Sequence, residues 1–155
     1  MKALINGRIF TGDNIVTGKA VLIRDGLIED VVDDSQVPAA CEKKDLHQQL
    51  LVPGFVDVQV NGGGGVLVDG NITMDGLATI AASHRRFGTT ALLPTLITDD
   101  LTAMQTAASA VRCALENNLP GLVGVHFEGP LLNMARKGIH NAQNIRAVDA
   151  ELMAL

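Results

Sequence analysis

Along the first fifty residues the apolar positions come in short runs: Ala3-Leu4-Ile5, Arg8-Ile9-Phe10, Lys19 to Ile23 and Leu27 to Val32. Between them stand turn residues, Asn6-Gly7, Thr11-Gly12-Asp13-Asn14 and Asp25-Gly26. Short β-type runs bounded in this way predict a small antiparallel sheet with tight turns. Asp25-Gly26 predicts a type I′ hairpin, because that turn needs positive φ at both central residues. This segment, residues 1–50, reads as scaffold.

From about Leu50 the pattern changes. Leu51 to Gly62 is a dense apolar run that closes on glycines through Gly65, the pattern of a buried parallel strand. Asp57, Gln59 and Asn61 alternate along it, which predicts three polar side chains on one face. Such a row is costly to bury unless bonded, so the face is expected to line a polar interior or cleft. The plainer alternative is that Gln59 and Asn61 only satisfy backbone at a strand end.

Leu77, Ile80, Ala81, His84 and Phe87 then fall at helical spacing, predicting a helix over 74–87 with Gly88 as its stop. Residues 89–98 read as a second apolar strand interrupted by Pro94. Asp99 or Asp100 is placed to cap a second helix running to about Asn117, with Leu101, Met104, Ala108, Val111 and Leu115 as its stripe. Gly121 to Pro130 reads as a third strand. The order strand, helix, strand, helix, strand predicts an α/β architecture with a parallel sheet or barrel. A complete (β/α)₈ barrel takes roughly 250 residues, so the chain reads as a small open α/β domain or as the front part of a larger protein.

The candidate chemistry lies in the third strand. His126 and Glu128 are two apart and share a face, while Val125 and Phe127 take the other. Gly129-Pro130 stops the strand where the carboxylate emerges, at the carboxyl end where parallel α/β folds place their chemistry. A polar strand end meeting solvent is the plain alternative. His84 reads as a surface or packing residue and His47 as a linker residue.

Composition narrows the classes. The 155 residues are 47% hydrophobic without Trp or Tyr, which predicts an aliphatic core. A net charge of −5, with no basic cluster beyond Glu42-Lys43-Lys44 or His84-Arg85-Arg86, argues against nucleic acid or an anionic membrane as partner. The two cysteines, Cys41 and Cys113, do not make a disulfide framework or a cysteine-based zinc site and fit a reducing cytoplasm. No signal-type or membrane-spanning apolar stretch is expected to target or anchor the protein.

Four stretches together resemble the N-acetylglucosamine-6-phosphate deacetylase family of the amidohydrolase superfamily: Asn6 to Gly12, Pro53 to Gly62, Leu93-Pro94-Thr95-Leu96-Ile97-Thr98, and His126-Phe127-Glu128-Gly129-Pro130. Pro-Gly-Phe-Val-Asp is generic to the superfamily; the last two stretches are more specific. The resemblance runs through the chain but covers somewhat less than the first half of the family's usual length. It implies the N-terminal part of a small β-sandwich-type domain over 1–50 and the first three βα units of an incomplete (β/α)₈ barrel over 51–155.

The resemblance also implies a metal-dependent hydrolase that releases acetate from N-acetylglucosamine 6-phosphate in the cytoplasm, as part of amino sugar metabolism, and a homo-oligomer at full length. One divalent metal ion is implied, zinc foremost, with Glu128 as a direct ligand. Where many amidohydrolases carry His-x-His at the end of the first barrel strand for a second metal, this sequence has Gln59-x-Asn61, and amides replace imidazole poorly as zinc ligands. Gln59, Asn61 and His126 are therefore expected to line the site. Lys137 to Asn141 matches a segment that closes over the sugar, giving Ile139 and His140 as substrate-binding residues. The catalytic Asp and two histidine ligands that the family uses are not among these residues, so the chain alone is expected to be inactive. Arg136, Lys137 and Arg146 are candidates to attract the phosphate or simply a solvated charged loop. Two other readings stand beside this one: a non-catalytic interaction or regulatory remnant, and an amidohydrolase acting on a cyclic amide, against which Gln59-x-Asn61 and the Glu128 loop count.

Overall fold

The computed structural model describes all 155 residues and divides into two compact units, Met1–Pro53 and Gly54–Leu155. The first contains strands β1 (Lys2–Ile5), β2 (Arg8–Phe10), β3 (Ile15–Val16), β4 (Lys19–Arg24), β5 (Leu27–Asp33), β6 (Glu42–Asp45) and β7 (Leu50–Leu51). They form two sheets, ordered β5-β4-β1-β6 and β3-β2-β7. The Asp25-Gly26 turn has φ of 52° and 82°, as a type I′ hairpin requires, and sets Arg24 opposite Leu27.

The expectation of a single antiparallel sheet is corrected. Residues 42–45 and 50–51 return as strands parallel to β1 and β2, so both sheets are mixed. Glu42-Lys43-Lys44-Asp45 carries no apolar signal because all four side chains are exposed on an edge strand.

The second unit holds β8 (Phe55–Val60), β9 (Gly62–Gly63), β10 (Val66–Leu67), α1 (Met74–Arg85), β11 (Thr89–Leu96), α2 (Leu101–Glu116), β12 (His126–Phe127) and α3 (Ala150–Met153). A parallel sheet is ordered β12-β11-β8, with β11 central. Thr73 caps α1, its hydroxyl accepting from Gly76 N at 3.2 Å, and Asp100 caps α2, accepting from Ala103 N at 2.8 Å. Leu77 and Ile80 of α1, Leu92 and Leu96 of β11, and Met104, Ala107 and Val111 of α2 form the core.

Three further expectations are corrected here. Phe55, Val56 and Val58 are 60–66% exposed, because β8 is an edge strand paired only with β11 and the helices pack over β11. The buried face of α2 is Ala103, Met104, Ala107, Val111 and Ala114; Leu115 lies outside it, since small alanines let the helix approach the sheet closely. The third strand is not continuous over 121–130. Leu122 bridges Leu92 and His126 pairs with Thr95, so three residue steps on β11 face four on the other side. That one-residue excess around Val123-Gly124-Val125 is a bulge.

Candidate functional site

The site is built on the carboxyl end of β11. Thr95 is fully buried, and its hydroxyl accepts the Val60 N–H at 2.9 Å. The same hydroxyl lies 3.1 Å from Leu93 O and 3.2 Å from His126 Nδ1. The register sets His126 opposite Thr95 and Phe127 opposite Leu96, and the Glu128 N–H continues to Leu96 O at 3.0 Å. Val125 and Phe127 pack against the hydrophobic core, which leaves His126 and Glu128 to the polar side, as their spacing predicts.

Asn61 follows directly on β8. Its amide nitrogen donates to Thr95 O at 3.3 Å and to Glu128 Oε2 at 3.2 Å. One carboxylate oxygen is thereby oriented by an uncharged donor, and the side chain of Glu128 retains 28% exposure. The second oxygen, Oε1, lies 3.8 Å from His140 Nε2, longer than a hydrogen bond.

His140 arrives on the loop that follows Pro130. Pro130 O accepts from Leu132 N at 2.9 Å and from Arg146 N at 3.2 Å, closing the loop on its own base. Asn133 and Asn141 side chains cap its two single helical turns, at 2.9 and 3.0 Å. Asn144 Nδ2 donates to Asp99 Oδ1 at 3.3 Å, and Thr98 Oγ1 lies 2.8 Å from His140 Nδ1.

The structure thus brings together Glu128, Asn61, His126 and His140. It does not bring Gln59: its side chain is exposed and its backbone N–H donates to Asp57 Oδ1 at 3.1 Å. The β8–β11 register shifts between the Leu92–Asp57 and Pro94–Val60 pairings, inside the stretch expected to carry a regular polar row. Ile139 presents a side chain that is 89% exposed.

The loop's basic residues are largely spent on the loop itself. Lys137 Nζ donates to His140 O at 3.1 Å. Arg146 pairs with Asp149 and, at 3.1 Å, with Glu151, which raises its guanidinium pKa above the ordinary value. The Asp149 carboxyl is pulled below the usual carboxylate range, first by the Leu152 N–H and then by Arg146. Arg136 remains exposed.

No group of three His, Cys, Asp or Glu side chains converges as a metal site. A catalytic zinc takes three protein ligands and water. Glu128 fits as one such ligand, and the chain does not contain a whole site.

Thr95 and Thr98, two side chains without an expected role, organise the site. Their signal was two hydroxyls, three apart, in the otherwise apolar run Leu92 to Thr98.

Residues 1–51 match the family described as NagA composite domain. An N-acetylgalactosamine-6-phosphate deacetylase of Shewanella sp. (strain ANA-3) is 40% identical over 91% of this chain and 36% of its own length. An N-acetylglucosamine-6-phosphate deacetylase of Haemophilus influenzae is 31% identical over 97% of this chain and 39% of its own. The crystal structure of N-acetylglucosamine-6-phosphate deacetylase from Pasteurella multocida superposes with a TM-score of 0.92 at 33% identity, over 99% of this chain and 40% of that one. The chain therefore spans under half the length of the relatives it matches. On sequence and fold together the chain is similar, over nearly all of its length, to the N-terminal portion of N-acetylhexosamine-6-phosphate deacetylases.

Proposed function

We propose that this chain is the N-terminal part of a metal-dependent deacetylase acting on N-acetylglucosamine 6-phosphate, with Glu128 as a metal ligand and His140 and the Ile139 backbone facing the sugar. The observation that carries this is the Glu128 carboxylate: one oxygen held by Asn61, the other open, at the carboxyl end of a parallel strand. The strand, helix, strand, helix, strand order of Gly54–Leu155 supports the first three units of a (β/α)₈ barrel. In Met1–Pro53, an apolar pocket of about 320 Å³ lined from both sheets, by Leu4, Val21 and Ile23 on one and Ile9, Phe10 and Leu51 on the other, supports a sandwich-type domain.

Held in part by Glu128, a divalent ion would supply a water of lowered pKa and polarisation of the acetyl carbonyl. The residues of this chain supply one charged ligand, an amide that fixes its orientation, and an imidazole beside it. The remaining ligands and the base lie outside these 155 residues, so residues 1–155 alone are expected to release no acetate.

A second reading concerns the sugar. The relative that is 40% identical acts on the galacto epimer. The test is acetate release by the full gene product from the two N-acetylhexosamine 6-phosphates. Turnover of the gluco sugar is the expected result. A clear preference for the galacto sugar moves the assignment to that epimer, and release from neither overturns the deacetylase reading.

A further inference from the structure

We propose that Thr98 is a positioning residue: its hydroxyl donates to His140 Nδ1, which puts the imidazole proton on Nε2 and makes His140 a hydrogen-bond donor, not a metal ligand, on the Glu128 side of the site. Thr98 is 6% exposed, and its Oγ1 lies 2.8 Å from His140 Nδ1. Neither atom has another hydrogen-bond partner. If Nδ1–H were the donor, the Thr98 hydroxyl hydrogen would be buried without an acceptor. With the hydroxyl donating, both groups are satisfied. The hydrogen bond on one ring nitrogen decides what the other carries, so Nε2 holds the proton and offers no lone pair to a metal.

The surroundings hold this arrangement in place. The backbone at Gly129 passes so close that a Cβ there would overlap Thr98 Oγ1. Thr98 therefore keeps its hydroxyl between strand end and loop only while residue 129 has no side chain. Lys137 Nζ fixes the His140 carbonyl at 3.1 Å, and Asp99, next to Thr98, anchors Asn144 of the same loop at 3.3 Å. His140 Nε2 and Glu128 Oε1, 3.8 Å apart, are left unbonded to each other and open to a third group. An Nε2–H beside a carboxylate that binds a cation suits an oxygen of the bound substrate, such as a carbonyl. This last step deepens the proposed function and rests on it; the tautomer does not.

The experiment is a long-range ¹H–¹⁵N correlation spectrum of the protein at a pH where imidazoles are neutral, with the four histidines distinguished by His140→Asn. The expected result is a protonated Nε2 and an unprotonated Nδ1 at His140, with the Nδ1 signal displaced by the hydrogen bond it accepts; the displacement is retained in Thr98→Ser and lost in Thr98→Val. A protonated Nδ1 in the unsubstituted protein, or an Nδ1 signal unchanged in Thr98→Val, overturns the proposal. Should Thr98→Val fail to fold, the unsubstituted spectrum still decides. In the full gene product, Thr98→Val is expected to lower kcat by about ten- to a hundredfold with little change in KM, the cost of losing an outer partner of a site residue, and Thr98→Ser to restore it. An unaltered kcat in Thr98→Val contradicts the positioning role. An Nε2–H tautomer in a protein that releases no acetate leaves the hydrogen bond standing and removes the deacetylase reading instead.

Discussion

In Gly54–Leu155 a central strand lies under two helices and fourteen buried side chains make one cluster, whereas in Met1–Pro53 the buried cluster is Ala3, Leu22 and Cys41. The first unit also leaves Ile15, Leu27 and Ile28 more than half exposed. Its chain path is set by turns: Asn6, Asp25 and Gly26 all take positive φ, and Asn6 Nδ2 reaches Asp45 Oδ1 at 2.8 Å. The second unit is set by burial, and that lets it hold polar groups at defined positions. Thr95 can sit at 0% exposure because the core fixes the strand that presents it.

The contrast is open to direct attack. Ile80→Ala, in the larger core, is expected to destabilise its unit by about 3–5 kcal/mol, within the range for buried Ile deletions. Leu22→Ala in the smaller cluster is expected to cost about 2 kcal/mol, because a thin core leaves less of a cavity to maintain. Denaturant midpoints followed by probes placed in each unit read both values, and equal losses would erase the distinction. Asp100→Ala removes the cap of α2 and should cost about 1 kcal/mol, with Asn or Ser recovering most of it.

The smallest effect is acidic. Asp149 has its pKa lowered in the folded protein, so the contribution of its cap to α3 is complete above the unfolded carboxylate value of about 3.9 and is lost as pH falls through the depressed folded value. The protection of the Leu152 amide, the slowing of its exchange relative to an unstructured amide at the same pH, should fall in that acid window and hold steady above it.

How far the sequence revealed the site depends on the kind of signal. His126, Glu128 and the Gly129-Pro130 stop were legible because strand alternation and a chain terminator are local. The α2 cap and the Asp25-Gly26 hairpin were legible for the same reason. The register irregularity in β8 went unseen because it depends on the partner strand and leaves no mark on its own residues. The exposure of Val56 and Val58 was hidden because apolar content reports what a strand would bury, not which neighbours cover it. β6 went unseen because its four residues are all charged, and its pairing with β1 is a non-local matter. Thr95 and Thr98 looked like ordinary strand residues; only the approach of Val60, His126 and His140 gives their hydroxyls work.

Metal content decides whether Glu128 is a ligand, with the full gene product and its Glu128→Gln variant purified alike and analysed for divalent ions. Glutamine keeps the shape of the side chain and its contact with Asn61 while removing the charge. One equivalent of divalent metal is expected in the unsubstituted protein and a large loss in the variant. Equal metal in both would contradict ligation by Glu128.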